Sequence, residues 1–198
     1  LYFDPWLVAL GRGVLAAGLA AMALLVTRQP RPKRHQLGRL ALVAVGVVIG
    51  FPVLSAWAMQ QLPASHGSIT LSLTPLATAC FGTWLARERL PARFWIAALC
   101  GAGAVFGFAL DAGGGKLRPG NLWLFAAALL AALGYAEGAR LTRSLGGWQV
   151  ISWALVLAAP WLLLPLCWLA LHAELSAPPS AWGGFVYVAV VSQFLAFV

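Results

Sequence analysis

Acidic residues are scarce in this chain: five Asp and Glu stand against 13 Lys and Arg, and charged residues fill only 9% of 198 positions. A soluble domain carries about 25% charged residues, so too few are present to coat a water-exposed surface. The three histidines and five acids are scattered over separate segments. That distribution offers no metal cluster and no acid–base pair for catalysis, and it calls for no cofactor. Each of the three cysteines, Cys80, Cys100 and Cys167, sits inside an apolar run. They read as small packing groups, not as a disulfide framework. The run of Gly113, Gly114, Gly115 and Lys116 lacks the spacing of a phosphate-binding loop, which argues against direct ATP drive. Methionine is nearly absent, and the first is Met22, deep in an apolar run. With Leu1 at one end and an unfinished apolar run at 192–198, the expectation is a piece of a longer chain.

What the sequence does have is apolar length. Hydrophobic residues make up 62%, more than a sphere of this size can hide from water. Intrinsic disorder and a charged nucleic-acid-binding face are excluded by the same numbers. A membrane-spanning helix needs about 20 mostly apolar residues. Seven candidate spans run over 5–27, 40–59, 67–86, 94–110, 122–139, 150–171 and 181–198. None alternates as a membrane barrel strand does, and the first lacks the basic approach of a signal peptide. The expected fold is an all-α integral membrane bundle.

Short connections make successive helices antiparallel, and the basic residues then assign sides. Connections 28–39, 87–93 and 140–147 hold 10 of the 13 cations, whereas 60–66, 111–121 and 172–180 hold only Lys116 and Arg118. The positive-inside rule makes the first group cytoplasmic. Trp6, Trp95, Trp123, Trp148 and Trp182 lie near run ends, as interfacial tryptophans do. Sliding the chain by 142 residues lays 6–17 over 148–159 with six of twelve positions identical, Trp6/Trp148 among them. The two stretches run in opposite directions across the membrane, so they read as an inverted repeat.

Residues 55–75 end one helix in a polar turn (Gln60, Gln61, Ser65, His66) and open another rich in small residues, with Pro75 midway. A short basic connection with Glu88, Arg89 and Leu90 follows, then a helix carrying Gly101, Gly103 and Gly107. Asp4, Pro5, Trp6 and Arg12 open the chain, and Gly134, Tyr135, Glu137 and Arg140 mark a later helix. This order and spacing resembles the EamA-type transporters of the drug/metabolite transporter superfamily. The resemblance implies ten helices in two inverted five-helix repeats. On that plan residues 1–111 are the rest of the first repeat (helices 2–5), and 112–198 begin the second (helices 6–8).

Several residues stand out as candidates. Arg12 lies two turns inside the first span, where a cation is costly and marks a functional site by default. It either faces a central cavity and pairs with a substrate carboxylate, or snorkels to headgroups. Thr70, Thr74 and Thr78 share a helix face by spacing, beside the kink of Pro75. They line a cavity or bond neighbouring helices, whereas Ser72 falls on another face. Tyr135, Trp153 and Gln193 are further candidates for a cavity wall. His66 is the candidate for proton coupling, its alternative being a solvated loop residue. Glu137 has Arg140 three residues on for a structural ion pair, and Glu88 sits between Arg87 and Arg89 in the same role. No metal site is expected.

The expected function is secondary transport of small organic metabolites such as amino acids by alternating access in a bacterial-type inner membrane, and the resemblance implies export. The partners are a small-molecule substrate and the lipid bilayer, with no nucleic acid; the sequence specifies no oligomeric state. A multidrug or channel-like protein is the alternative, with an intramembrane lipid-modifying enzyme behind it for want of clustered catalytic groups.

Overall fold

The computed structural model describes residues 3–63, 67, 70–86, 90–112, 119–172 and 177–197. Among these the secondary structure is helical, and each of the seven expected spans corresponds to a helix. Helix α1 is Pro5–Val26. Asp4 caps it by accepting the Trp6 N–H at 2.7 Å, and Pro5 occupies a first-turn position whose missing N–H has no intrahelical partner to lose. Helix α2, Arg34–Met59, starts six residues before its expected apolar span. The Lys33 N–H donates to Gln36 Oε1 at 2.8 Å, so a polar cap sets the beginning. Within α2 the turns widen to π geometry over Ala44–Gly50. They end just before buried Pro52, whose ring would collide with the Val48 carbonyl in a regular helix.

Helix α3 is Thr74–Ala86 and α4 is Ala92–Ala112. Helix α5, Pro119–Leu145, extends past its expected end on the basic side, and α6 is Gly147–His172. Helix α7, Pro179–Tyr187, continues as a π segment over Val188–Ser192 and ends in a short 3₁₀ turn, Leu195–Phe197. Among the described residues four helices, α1, α2, α5 and α6, are long and apolar enough to cross a membrane.

Two antiparallel pairs form the core. Helix α1 packs along α6, with Gly13 against Leu162 and Gly11 against Phe185 of α7. Ala16, Ala17 and Ala20 of α1 are buried with Ala154, Leu155 and Ala158 of α6 and with Leu40, Val43 and Val48 of α2. Helix α2 runs antiparallel to α5 and meets it backbone to backbone. A Cβ added at Gly46 would lie 2.5 Å from the Leu130 carbonyl oxygen and 3.1 Å from Gly134 Cα. Small residues are what allow this approach, because lipid gives apolar side chains no reason to associate and close packing must supply the attraction. Helix α3 packs on α5 yet has no fully buried residue, and α4 makes no extensive contact with any helix among the described residues.

The outward faces suit lipid. Trp84, Trp161 and Trp168 are exposed and line none of the described cavities. Cys80, Cys100 and Cys167 are exposed and unpaired. A small apolar side chain is as much at home against lipid as within the bundle.

Candidate functional site

The polar residues that the sequence marks separate into a cavity, a lone cation and an ion-pair cluster. The cavity, about 910 Å³, opens between α3, α4 and α5. Its wall is apolar where Leu71, Leu76, Phe94 and Ala98 meet it, and hydroxyl-bearing at Ser72, Thr74, Thr78 and Tyr135. Two corrections follow from the shape of the chain here. Pro75 is not a mid-helix kink: residues 70–71 are helical, 72–73 form a turn, and α3 restarts at Thr74. Proline as second residue of a helix forfeits no intrahelical bond. Ser72 was placed off the threonine face by the 3.6-residue period, yet it lines the cavity with Thr74 and Thr78. The interruption resets the angular register, so the period does not carry across it. Thr78 Oγ1 donates to the Thr74 carbonyl at 2.8 Å, and Thr70 is not part of the described wall. A smaller cavity of about 230 Å³ also touches Tyr135, against Val43, Val47 and Ile151.

Arg12 is half-buried on α1. Its Nε is sealed from solvent and has no hydrogen-bond partner among the described residues. Its electrostatic neighbour is Tyr135, but Arg12 itself is not among the residues lining the described cavities. Trp153 instead packs against the α1–α6 core. Gln193 is buried behind the π segment of α7, its N–H donating to the Val188 carbonyl at 3.0 Å. Neither lines a described cavity. His66 and Glu88 lie outside the described residues.

Glu137 is buried on α5. Its Oε2 accepts from Arg140 Nη1 at 2.9 Å, and Arg39 Nε of α2 stands 3.3 Å from its Oε1. The second contact is an ion pair without hydrogen-bond alignment. One helical turn beyond Arg140, Ser144 Oγ accepts from Gln36 Nε2 at 3.2 Å. Gln149 Nε2 reaches Gln29 Oε1 at 3.5 Å between α6 and the α1–α2 turn. Sequence reading supplied the Glu137–Arg140 pair but not Arg39, Gln36 or Ser144, because partners on different helices leave no spacing signal. The glycine crossing did leave one: Gly46/Gly50 and Gly134/Gly138 each repeat at four residues, the pattern of close helix contact.

No group of three or more metal-ligating side chains occurs among the described residues. The arrangement is suited to holding a solute: an apolar cavity with a few hydroxyls in its wall. Residues 1–110 match the EamA-like transporter family. The chain is 44% identical over 197 residues to the uncharacterized transporter YdeK of Bacillus subtilis (strain 168), covering 99% of this chain and 68% of that protein. It is 24% identical over 216 residues to the uncharacterized transporter sll0355 of Synechocystis sp. (strain ATCC 27184 / PCC 6803 / Kazusa), covering 98% of this chain and 64% of that one. The chain thus spans about two thirds of the length of each of these relatives. No solved structure matches it significantly. On the family match and on its identity to YdeK, the chain belongs to the EamA-like transporter family of multi-pass membrane proteins.

Proposed function

We propose that this member of a transporter family is a secondary carrier that exports small organic metabolites, amino acids among them, across an inner membrane by alternating access. The observation that carries this reading is the cavity of about 910 Å³, in which hydroxyls of Ser72, Thr74, Thr78 and Tyr135 punctuate an apolar wall beside an interrupted helix. Polar groups at a broken helix mark substrate sites in carriers, because freed backbone groups and side chains there can replace a solute's water. The basic connections 28–39, 87–93 and 140–147 are the cytoplasmic side of this proposal.

Two inverted repeats, divided near residue 111, would rock about that cavity. Their support is a coincidence of positions. The shift of 142 residues that aligns 6–17 with 148–159 carries the π segment at 44–50 onto 186–192, where α7 has its own π segment, Val188–Ser192. Solute counterflow in proteoliposomes tests the carrier. A radiolabelled amino acid should enter faster when the vesicles hold unlabelled solute, whereas a channel gives no such acceleration. Absence of exchange across a broad panel of metabolites removes the proposal.

A further inference from the structure

We infer that the turn joining α1 to α2 binds an anionic phospholipid of the adjacent leaflet, with Arg28, Arg31, Lys33 and Arg34 at its headgroup and Leu25 and Val26 along its acyl chains. This goes beyond the carrier reading and does not depend on it.

The first observation is charge without a partner. All four cations are exposed, and none forms an ion pair among the described residues. Residues 28–39 contain no Asp or Glu, and Glu137, at the same end of the bundle, is already engaged by Arg39 and Arg140. Lys33 and Arg34 also open α2, the end of a helix that disfavours cations. The fold therefore gains nothing electrostatic from them.

The second observation is how the turn is built. Helix α1 closes with the Gln29 N–H on the Leu24 carbonyl at 3.0 Å and the Arg28 N–H on the Leu25 carbonyl at 3.1 Å. Arg28 occupies the left-handed position of this closure, with φ at +49°. Glycine is the usual residue there, because a Cβ is strained in that conformation. Residues 29–33 then run extended, stiffened by Pro30 and Pro32, whose rings fix φ. Gln29 reaches Gln149 of α6 at 3.5 Å, and Gln36 donates to Ser144 of α5 at 3.2 Å. The cations are thus carried on a short, stiff segment tied down at both ends, which lowers the entropy lost on binding.

The third observation selects the ligand. Leu25 and Val26 are each 77% exposed, and Met22, one turn earlier, is 58% exposed. Apolar surface therefore lies immediately membrane-side of Arg28. A soluble phosphate, a nucleic acid or an acidic protein would meet the charges and leave that surface unused. A phospholipid meets both, its anionic headgroup against basic residues at the membrane surface and its chains against the end of α1.

The test counts lipids retained by the full-length protein in mild detergent, using native mass spectrometry. Phosphatidylglycerol and phosphatidylcholine with the same chains are supplied in competition. Phosphatidylglycerol should be preferred. Arg31→Gln should lower that preference about five-fold, and Arg28→Gln combined with Arg31→Gln about 25-fold, from the contribution of each basic residue beside an anionic surface. Arg28→Gly should also lower it about five-fold while leaving thermal unfolding unchanged or higher, since glycine relieves the left-handed strain. Arg93→Gln, an exposed cation in the first turn of α4, should change it less than about two-fold, far below the effect of a cation in the site. Equal retention of the two lipids, or an unchanged preference in the Arg28 and Arg31 variants, overturns the site. So does an equal effect from Arg93→Gln, which would make the charge a diffuse field. Glycerol 1-phosphate, an RNA oligomer and polyglutamate serve as soluble competitors. Displacement of the lipid by any of them assigns the turn to a soluble anion and overturns the inference, leaving the carrier reading untouched.

Discussion

The basic end of the bundle and the middle of α1 handle buried charge in opposite ways. At the basic end Glu137 is enclosed by two arginines, one from its own helix and one from α2, and the adjacent Gln36–Ser144 bond ties the same two helices. In α1, Arg12 keeps a buried nitrogen without a partner. A buried charge that is paired on both sides acts as a clasp, and losing either partner strands the other. A nitrogen with no hydrogen-bond partner among the described residues, as Arg12 Nε is, gains nothing for the fold through that atom. The same contrast separates the helices. The α1–α2–α5–α6 core is sealed by glycine and alanine, while α3 packs on α5 without a fully buried residue and α4 stands off, which leaves the cavity open.

The comparison can be broken most sharply at Glu137. Replacing it with alanine removes the anion shared by the partly exposed Arg39 and Arg140, an expected loss of about 3 kcal/mol for the charge-assisted hydrogen bond and the ion pair together. Thermal unfolding in detergent should drop accordingly, and adding Arg39→Ala should recover part of the loss; no drop would show that the clasp is not one. Next is the glycine crossing. Gly46→Val drives a side chain into the Leu130 carbonyl and the Gly134 backbone, with an expected cost of about 1–3 kcal/mol for forcing the helices apart. Gln36→Ala removes one partly buried hydrogen bond, about 1 kcal/mol, and its unfolding midpoint should fall less than that of either change above. Arg12→Gln should leave stability unchanged or slightly raised, because it removes a charge that no described residue pairs with. A loss as large as that from Glu137→Ala would place Arg12 with the clasp. The smallest effect belongs to Trp161→Ala on the lipid-facing side of α6, within about 0.5 kcal/mol.

The helical class and the positions of the seven spans were readable from apolar runs alone, since a bilayer demands length and apolarity before anything else. Helix ends were read less well. Helices α2 and α5 extend beyond their apolar runs at the basic end, because the backbone continues to satisfy itself in helix wherever a cap or an ion pair allows. At the site, Tyr135 was singled out by residue type and does line the cavity, whereas Arg12, singled out the same way, lines none of the described cavities. Trp153 and Gln193 were singled out on the same grounds, and packing places them elsewhere. Ser72 was set aside by a period that holds only within an unbroken helix.

The sequence by itself determined that this chain lives in a membrane and where its helices run, because those follow from transfer of each segment into lipid one at a time. It also contained the two glycine pairs that make a close crossing possible. Which helices meet was decided only by the tertiary structure. The clasp at Glu137 and the break before Thr74 that turns Ser72 into a cavity residue both depend on relations between segments. Helix association within lipid turns on shape and on pairing of polar groups, and both are properties of two surfaces together that neither segment's composition records.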